Sequence, residues 1–393
     1  MTVVAAPVQQ TQAARLASLD ALRGIAVVLV VWLHVTDHFS HWRITGPDAS
    51  LVLNDLAHSV DFGRLGVVLF FAISGFIVPQ SLHGECGAGL RRFMVRRFWR
   101  LFPLYWLSIP VGVVTTWWYY YKTIDLGDVL LNFTMVPQLL DYTMVQNLYW
   151  TLELELYFYL LLMLLFALRL HHRLGVMLAI SAGLVACRAQ ISEPELSQWL
   201  GWAVNDAAQL LEYGQFLAIM FWGAGCRLLW NRWHHLDVNW QVIKAAPYTL
   251  ANLKLIAGTL LFAGLTAYLL ERPFKVLQIG LAQNNPELIR YAAPVLISVL
   301  FFLIWINWIK TAPRLLVWLG QISFSIYLLH PAVLYSVDVL LCRPGKGLTC
   351  QSGYDLSLAS YFLASFIGVI LLAALAHRWI EQPCIAAGRK YSR

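Results

Sequence analysis

Residues 19–39 read LDALRGIAVVLVVWLHVTDHF. The aliphatic run from Gly24 to Leu33 is bounded by residues that can be buried, so the segment reaches the roughly 20 residues needed to cross a bilayer. Yet it carries Arg23, His34 and flanking aspartates, side chains that lipid should exclude. The rest of the chain agrees with lipid as its solvent. Of 393 residues, 59% are hydrophobic and 12% charged, against about 25% charged in a soluble domain. The mean hydropathy is +0.63. Seventeen Trp and 17 Tyr suit a protein with two water–lipid interfaces to anchor. Disorder, a disulfide scaffold and a coiled coil are excluded by the same composition. The net charge of +7 then poses a question of membrane sidedness, and nucleic acid is not expected as a partner.

Ten long apolar segments lie at about 20–38, 64–82, 101–121, 149–168, 174–190, 213–230, 250–270, 290–309, 315–336 and 357–377. The expected fold is all-α: a polytopic membrane helix bundle of about ten transmembrane helices, or eleven if 126–140 also crosses. That stretch is short and interrupted by Pro137, so it is taken as re-entrant or interfacial. The first span is not a cleaved signal peptide, because no small-residue cleavage site follows it. Five arginines in 91–100 mark the connection 83–100 as cytoplasmic, which puts both termini in the cytoplasm. The alternation of charge holds across most connections and is weakest at 271–290, where Arg272, Lys275 and Arg290 fall on the outer side. The expected organisation is a cytoplasmic segment over 1–18, a transmembrane domain over 19–385 and a cytoplasmic tail over 386–393, with no soluble domain at either end.

Cysteine and metal signals are weak. Cys342 and Cys350 share one outer loop, where a disulfide or two idle thiols are the alternatives. No HExxH, CxxC, P-loop or GxSxG occurs, so no metal site is expected.

The sharper signals are polar residues inside spans. Arg23 and His34 are eleven residues apart, which is about 20° from a whole number of helical turns and about 16 Å along the axis. They therefore share a face. Asp20 and Asp37 lie one turn from each, and Asp37 is placed to hold the imidazole in one tautomer. Glu153 and Glu155 open the fourth span on different helix faces. A buried Glu can serve as acid or base, or simply sit at a helix N-terminus. His330 precedes Pro331 in the ninth span, below Ser323, Ser325 and Tyr327. Ser74 and Gly75 suggest close helix packing. The run RRFMVRRFWRLFPLYW, residues 91–106, is the densest charge. It satisfies topology, and Arg97 and Arg100 also share a face suited to phosphate.

Together these pieces resemble the acyltransferase-3 family of integral-membrane acyltransferases, over about residues 15–385. The family's R-x10-H motif corresponds to Arg23 and His34, and its FF-x-x-SGF element to Phe70–Phe76. The R-x-x-R element followed by Pro corresponds to Arg97, Arg100 and Pro103. W-[ST]-L-x-x-E-x-x-FY corresponds to Trp150–Tyr159, with Glu155 as the matching carboxylate and Glu153 a departure. S-x-S-x-Y-L-x-H corresponds to Ser323–His330, and E-x-P to Glu381–Pro383. The expected form is the stand-alone one, without the C-terminal SGNH-type domain of some members.

The resemblance implies transfer of an acyl group, acetyl foremost, from cytoplasmic acyl-CoA to a sugar hydroxyl of a surface polysaccharide or lipid-linked saccharide, in the cell inner membrane. Acyl-CoA is a donor substrate and no permanent cofactor is implied. Arg96, Arg97 and Arg100, with Arg23, would hold the CoA phosphates. His34 would act as general base or as covalent acyl carrier. Glu155 would orient the hydroxyl or shuttle the proton, and His330 is a weaker candidate for that service. Ser74, Tyr327 or a backbone amide would stabilise the oxyanion. Buried Arg, His and Glu would equally suit a proton-coupled glycan or metabolite transporter, and an assembly protein of an export complex is the third reading. The sequence does not fix the acyl group, the acceptor or the oligomeric state.

Overall fold

The computed structural model describes residues 6–41, 59–120, 123–200, 204–235, 250–341 and 358–392. Among them every regular element is helical. In chain order these are α1 (Ala6–His41), α2 (Phe62–Ile77), α3 (Cys86–Tyr120), α4 (Leu126–Asn132), α5 (Trp150–Ala167), α6 (Leu174–Gln190) and α7 (Glu193–Leu200). They continue as α8 (Val204–His235), α9 (Leu250–Ala282), α10 (Pro286–Trp308), α11 (Arg314–Gln321), α12 (Ser323–Leu341), α13 (Leu358–Ala376) and α14 (Gln382–Tyr391). A π-helical turn, His377–Glu381, joins α13 to α14.

Among the described residues seven helical stretches are long and apolar enough to cross a membrane, or eight if the bent pair α6–α7 is one span. The expected count of about ten is not confirmed. The segments 101–121 and 213–230 do form helix, inside α3 and α8. Their apolar runs are diluted by Trp, Tyr, Pro and Gly, and they fall below the hydropathy of an unaided span. The ninth expected span breaks at Ile322 into α11 and α12. The stretch 126–140 folds as the seven-residue α4 and a 3-10 turn, Gln138–Leu140. Seven residues rise only about 10 Å, too little to cross. Asn132, fully buried, staples this loop: its amide donates to the carbonyls of Asp128 (2.7 Å) and Thr143 (2.8 Å), and its oxygen accepts from the Val145 N–H (3.1 Å).

Two further differences concern length. The arginine-rich 91–100 is not a loop but the first turns of α3, which runs 35 residues through Pro103 and Pro110. Helix α1 begins at Ala6, within the segment expected to precede the membrane, and α9 runs 33 residues, to Ala282. At about 1.5 Å per residue, α9 is near 50 Å long and overshoots a hydrocarbon core of about 30 Å. The Cys342–Cys350 pairing lies outside the described residues.

The chain divides into two compact units. The first comprises Met1–Leu69, Arg91–Glu153 and Leu300–Arg393; the second comprises Phe70–Leu90 and Leu154–Val299. In the first, α1 crosses α11 with the two backbones in contact. A Cβ on Gly24 would fall 2.2 Å from the Leu316 carbonyl oxygen, and one on Gly320 would fall 1.7 Å from that of Asp20. Small residues permit this approach, the usual device where lipid supplies no hydrophobic drive between helices. Ser18 fastens the same end of α1: its hydroxyl donates to Ile309 O (2.8 Å), and Trp305 Nε1 donates to Ser18 O (2.9 Å).

In the second unit α2 meets α8 in the same way, with Gly75 against the Met220 carbonyl and Gly223 against that of Ala72. Ser181 on α6 donates to Ala218 O on α8 (2.8 Å), and Trp222 Nε1 donates to Thr266 Oγ1 on α9 (2.9 Å). In both units large aliphatic side chains such as Leu164, Leu260, Leu261, Leu363 and Leu371 are exposed. Such exposure is costly in water and costs little in lipid. The chain is a multi-pass membrane protein.

Candidate active site

The first unit brings three of the sequence-predicted groups to α1 and its neighbours. Arg23 and His34 lie on one continuous helix, each half-buried. Arg23 sits one residue before Gly24, so the backbone crossing with α11 fixes its place. Its guanidinium lies 3.7 Å from the Asp20 carboxylate. Arg100, on α3, is also near enough to Asp20 to attract it. One carboxylate thus gathers an arginine from the opening helix and one from the R-x-x-R element.

His34 faces His330 of α12, with ring centroids 5.0 Å apart. Asp37, expected to hold the His34 imidazole, lies exposed instead. His330 is fully buried, and its Nδ1 lies 2.7 Å from the Tyr327 carbonyl oxygen. A carbonyl can only accept, so Nδ1 carries the proton and Nε2 is left as the unprotonated acceptor. That Nε2 is buried without a hydrogen-bond partner among the described residues. Tyr327 is itself fixed, its hydroxyl bonded to Thr151 Oγ1 (2.8 Å) and donating to Leu148 O (3.1 Å). The backbone of α12 therefore sets the tautomer of His330 beside the partly open ring of His34.

Two networks around this pair went unread in the sequence. One turn past His34, His38 Nδ1 donates to Asp338 Oδ2 (2.7 Å), and the Tyr361 hydroxyl donates to Asp338 Oδ1. Asp338 is buried. This ties α1, α12 and α13 together. At the other end of α12, buried Glu381 accepts from Ser325 Oγ (2.8 Å) and His377 Nδ1 (2.9 Å). The E-x-P element is thus a clamp on the serine-rich start of the helix that carries His330. The spacing of His38 from His34 signals only a shared stripe. In each network one bond spans a long stretch of chain, 300 residues from His38 to Asp338 and 56 from Ser325 to Glu381.

The two glutamates separate as a spacing of two residues on a helix requires, about 200° apart around the axis. Glu153 is fully buried in the first unit, where Oε1 accepts from the Leu139 N–H (3.1 Å) and holds the 3-10 turn. Glu155 belongs to the second unit and is half-buried. Its Oε1 accepts a short bond from the Tyr159 hydroxyl (2.5 Å) and a long one from Ser74 Oγ (3.4 Å). Ser74 is thus set beside a carboxylate, a poor neighbour for a group meant to stabilise an oxyanion. Of the arginines, Arg97 lies over the Phe93 ring at 5.3 Å, a cation–π contact along its own helix. Arg96, expected to bind phosphate, donates from Nε to Ser392 Oγ (2.9 Å), while Trp99 stacks on Tyr391. That end of α3 is occupied in seating α14.

Comparison with known proteins identifies a family. A family model described as an acyltransferase domain, that of the acyltransferase-3 family, matches residues 16–378. A protein of Acidianus two-tailed virus named "putative acetyltransferase" is 25% identical over 287 residues, covering 68% of this chain and 72% of the relative. Proteins of Staphylococcus aureus strains COL and MSSA476 named "putative O-acetyltransferase" are 25% identical over 417 residues, 95% of this chain. This chain spans 58% of the length of those staphylococcal relatives. No solved structure matches it. With the family model spanning nearly all of the sequence, from before Arg23 to beyond His330, the chain belongs to the acyltransferase-3 family of membrane acyltransferases.

Proposed function

We propose that the chain moves an acyl group, acetyl foremost, from cytoplasmic acyl-CoA to a hydroxyl of a sugar in a surface polysaccharide or lipid-linked saccharide, at the cell inner membrane. The observation that carries this reading is the pairing of His34 with His330 on a helix that also bears Arg23. The names of the viral and staphylococcal relatives favour acetyl and an oxygen acceptor. His34 is the half-buried ring of the pair, and His330 is the one whose protonation pattern the fold fixes.

In this scheme Arg97 and Arg100 hold the CoA phosphates. Arg23 guides the pantetheine arm along α1 toward His34, about 16 Å further on. His34 takes the proton of the sugar hydroxyl as its oxygen attacks the thioester carbonyl. A carbon–oxygen bond forms, the carbon–sulfur bond breaks, and the imidazolium returns the proton to the departing thiolate. No net proton is consumed. If His34 instead attacks the thioester itself, an acyl-imidazole forms, CoA leaves first and the sugar receives the acyl group in a second step. His330 shares the proton with His34.

The test is purified protein in lipid nanodiscs with radiolabelled acetyl-CoA and a mixture of oligosaccharides. Label on a sugar together with release of free CoA is the expected result. Uptake or binding of a saccharide with no label transferred would refute the proposal and favour a transporter. A stoichiometric burst of CoA before acceptor is added would identify the acyl-imidazole route.

A further inference from the structure

The second unit contains a cavity that shares no residue with the groups discussed above. It lies where the C-terminal end of α6 and the start of α7 meet the middle of α9, and its volume is about 610 Å³. That is within the range of sites that enclose small ligands, roughly 300–1,000 Å³. Its wall carries three cations, Arg188, Arg272 and Lys275, and two carboxylates, Glu193 and Glu271.

The carboxylates are already taken. Glu193 pairs with Arg188 (3.2 Å) and Glu271 with Lys275 (2.6 Å). Arg272 forms no direct ion pair among the described residues, Glu193 attracting it only at longer range; it donates one N–H to the Arg188 carbonyl oxygen (2.8 Å). A guanidinium has five N–H donors, so four remain. Arg188 adds another, since its Nε is buried without a partner among the described residues. Two arginine side chains on one wall, with donors in excess of acceptors, form the usual receptor for a carboxylate or phosphate. Tyr268, Gln190 and Gln215 on the same wall suit hydroxyls and a sugar face, and most of the remaining lining, Val185, Ala189, Ile191, Leu269 and Pro273 among it, is apolar.

We infer that this cavity binds a saccharide bearing an acidic group, carboxylate or phosphate. The inference rests on the reading that the acceptor is a saccharide. The structure assigns Arg272 as the main determinant, with Arg188 beside it and Tyr268 under a sugar ring.

The test is direct binding to the full chain in phosphatidylcholine nanodiscs, without any acyl donor. The probes are hyaluronan tetrasaccharide, glucose 1-phosphate and the neutral maltotetraose. At least one acidic probe is expected to bind tenfold or more tighter than maltotetraose, with affinity that weakens as salt is raised. Arg272→Gln is expected to remove that preference, and Arg272→Lys to keep part of it. Acetyl-CoA binding unchanged in both variants reports an intact fold. The Lys variant carries the test if the Gln variant does not fold. Equal affinity for acidic and neutral probes, or a preference indifferent to Arg272, overturns the inference. So does displacement of the acidic probe by phosphatidylglycerol placed in the disc, which would mark a lipid headgroup site. Acidic binding that depends on Arg272 supports the site even if no probe is acetylated, a result that would count against the proposed acceptor instead. Acetylation of maltotetraose at the rate of the acidic probes, unaltered by Arg272→Gln, would leave the transferase reading standing and remove the site.

Discussion

Replacing His34 by alanine separates chemistry from folding more cleanly than any other change in the site. The ring is half-buried, and its contact is the His330 ring at 5.0 Å; none of its nitrogens is bonded to another described residue. Truncation therefore strands no hydrogen-bond partner among the described residues. The stability cost should be about 1 kcal/mol, near the centre of measured point substitutions. Loss of a general base costs about 10²–10⁴ in rate, or roughly 3–5 kcal/mol of barrier. Loss of a covalent acyl carrier costs the whole turnover. The assay is release of CoA and labelling of sugar by protein in nanodiscs, paired with a thermal melt of the same sample. The expected result is a melting midpoint near that of the parent protein with transfer reduced at least a hundredfold. The working form of the ring is neutral, so parent activity should also fall toward acid pH, and any residual activity of His34→Ala should lack that limb. Transfer within threefold of the parent in a folded His34→Ala protein would refute the catalytic role. His330→Ala is a poorer test, because it removes a fully buried side chain and its bond to Tyr327. Large-to-small changes of that kind cost about 2–5 kcal/mol by themselves.

Three further outcomes are expected. Arg97→Ala together with Arg100→Ala should raise KM for acetyl-CoA about tenfold or more with a smaller change in kcat, whereas Arg96→Ala should leave KM unchanged and increase proteolysis at α14, since its bond is to Ser392; initial-rate kinetics and limited digestion distinguish the two. Gly320→Ala places a methyl 1.7 Å from the Asp20 carbonyl oxygen, so the α1–α11 crossing must open at a cost of at least about 1–3 kcal/mol; an unchanged melting midpoint would contradict that crossing. Asp338→Ala deletes the bonds to His38 and Tyr361, each worth about 1.5–3 kcal/mol where a charged group takes part. Its melting midpoint should fall by several degrees, and equal stability would show that this carboxylate does not hold α1, α12 and α13.

The fold class was legible because it follows from composition. A chain this apolar must satisfy its backbone hydrogen bonds within helices in lipid. The bounds of the helices were not, because hydropathy counts apolar side chains and cannot see where a helix ends. Helix α3 absorbed an expected arginine loop, and α9 continues through Glu271, Arg272 and Lys275 to Ala282. Continuous i to i−4 bonding costs nothing extra where a helix leaves the membrane, so polarity does not mark its end. The stretch 126–140 shows the converse: it is apolar, yet Asn132 holds it as a loop through bonds to residues as far away as Val145.

At the site, helical periodicity in the sequence alone put Arg23 and His34 on one stripe of α1 and Glu153 and Glu155 on different faces of α5. It also singled out His330 as a polar residue at membrane depth. These follow from the 3.6-residue turn, a local property of the chain. Only the tertiary structure decided which ring faces His34, which nitrogen of His330 carries its proton, and that Asp338 and Glu381 are clamps. Those facts depend on contacts between α1, α12, α13 and the π-turn, helices separated by up to 300 residues. A helix repeats its own geometry, and no local pattern records which other helix it will meet or at what rotation. Side-chain chemistry and spacing are fixed residue by residue, whereas partnership is fixed by packing.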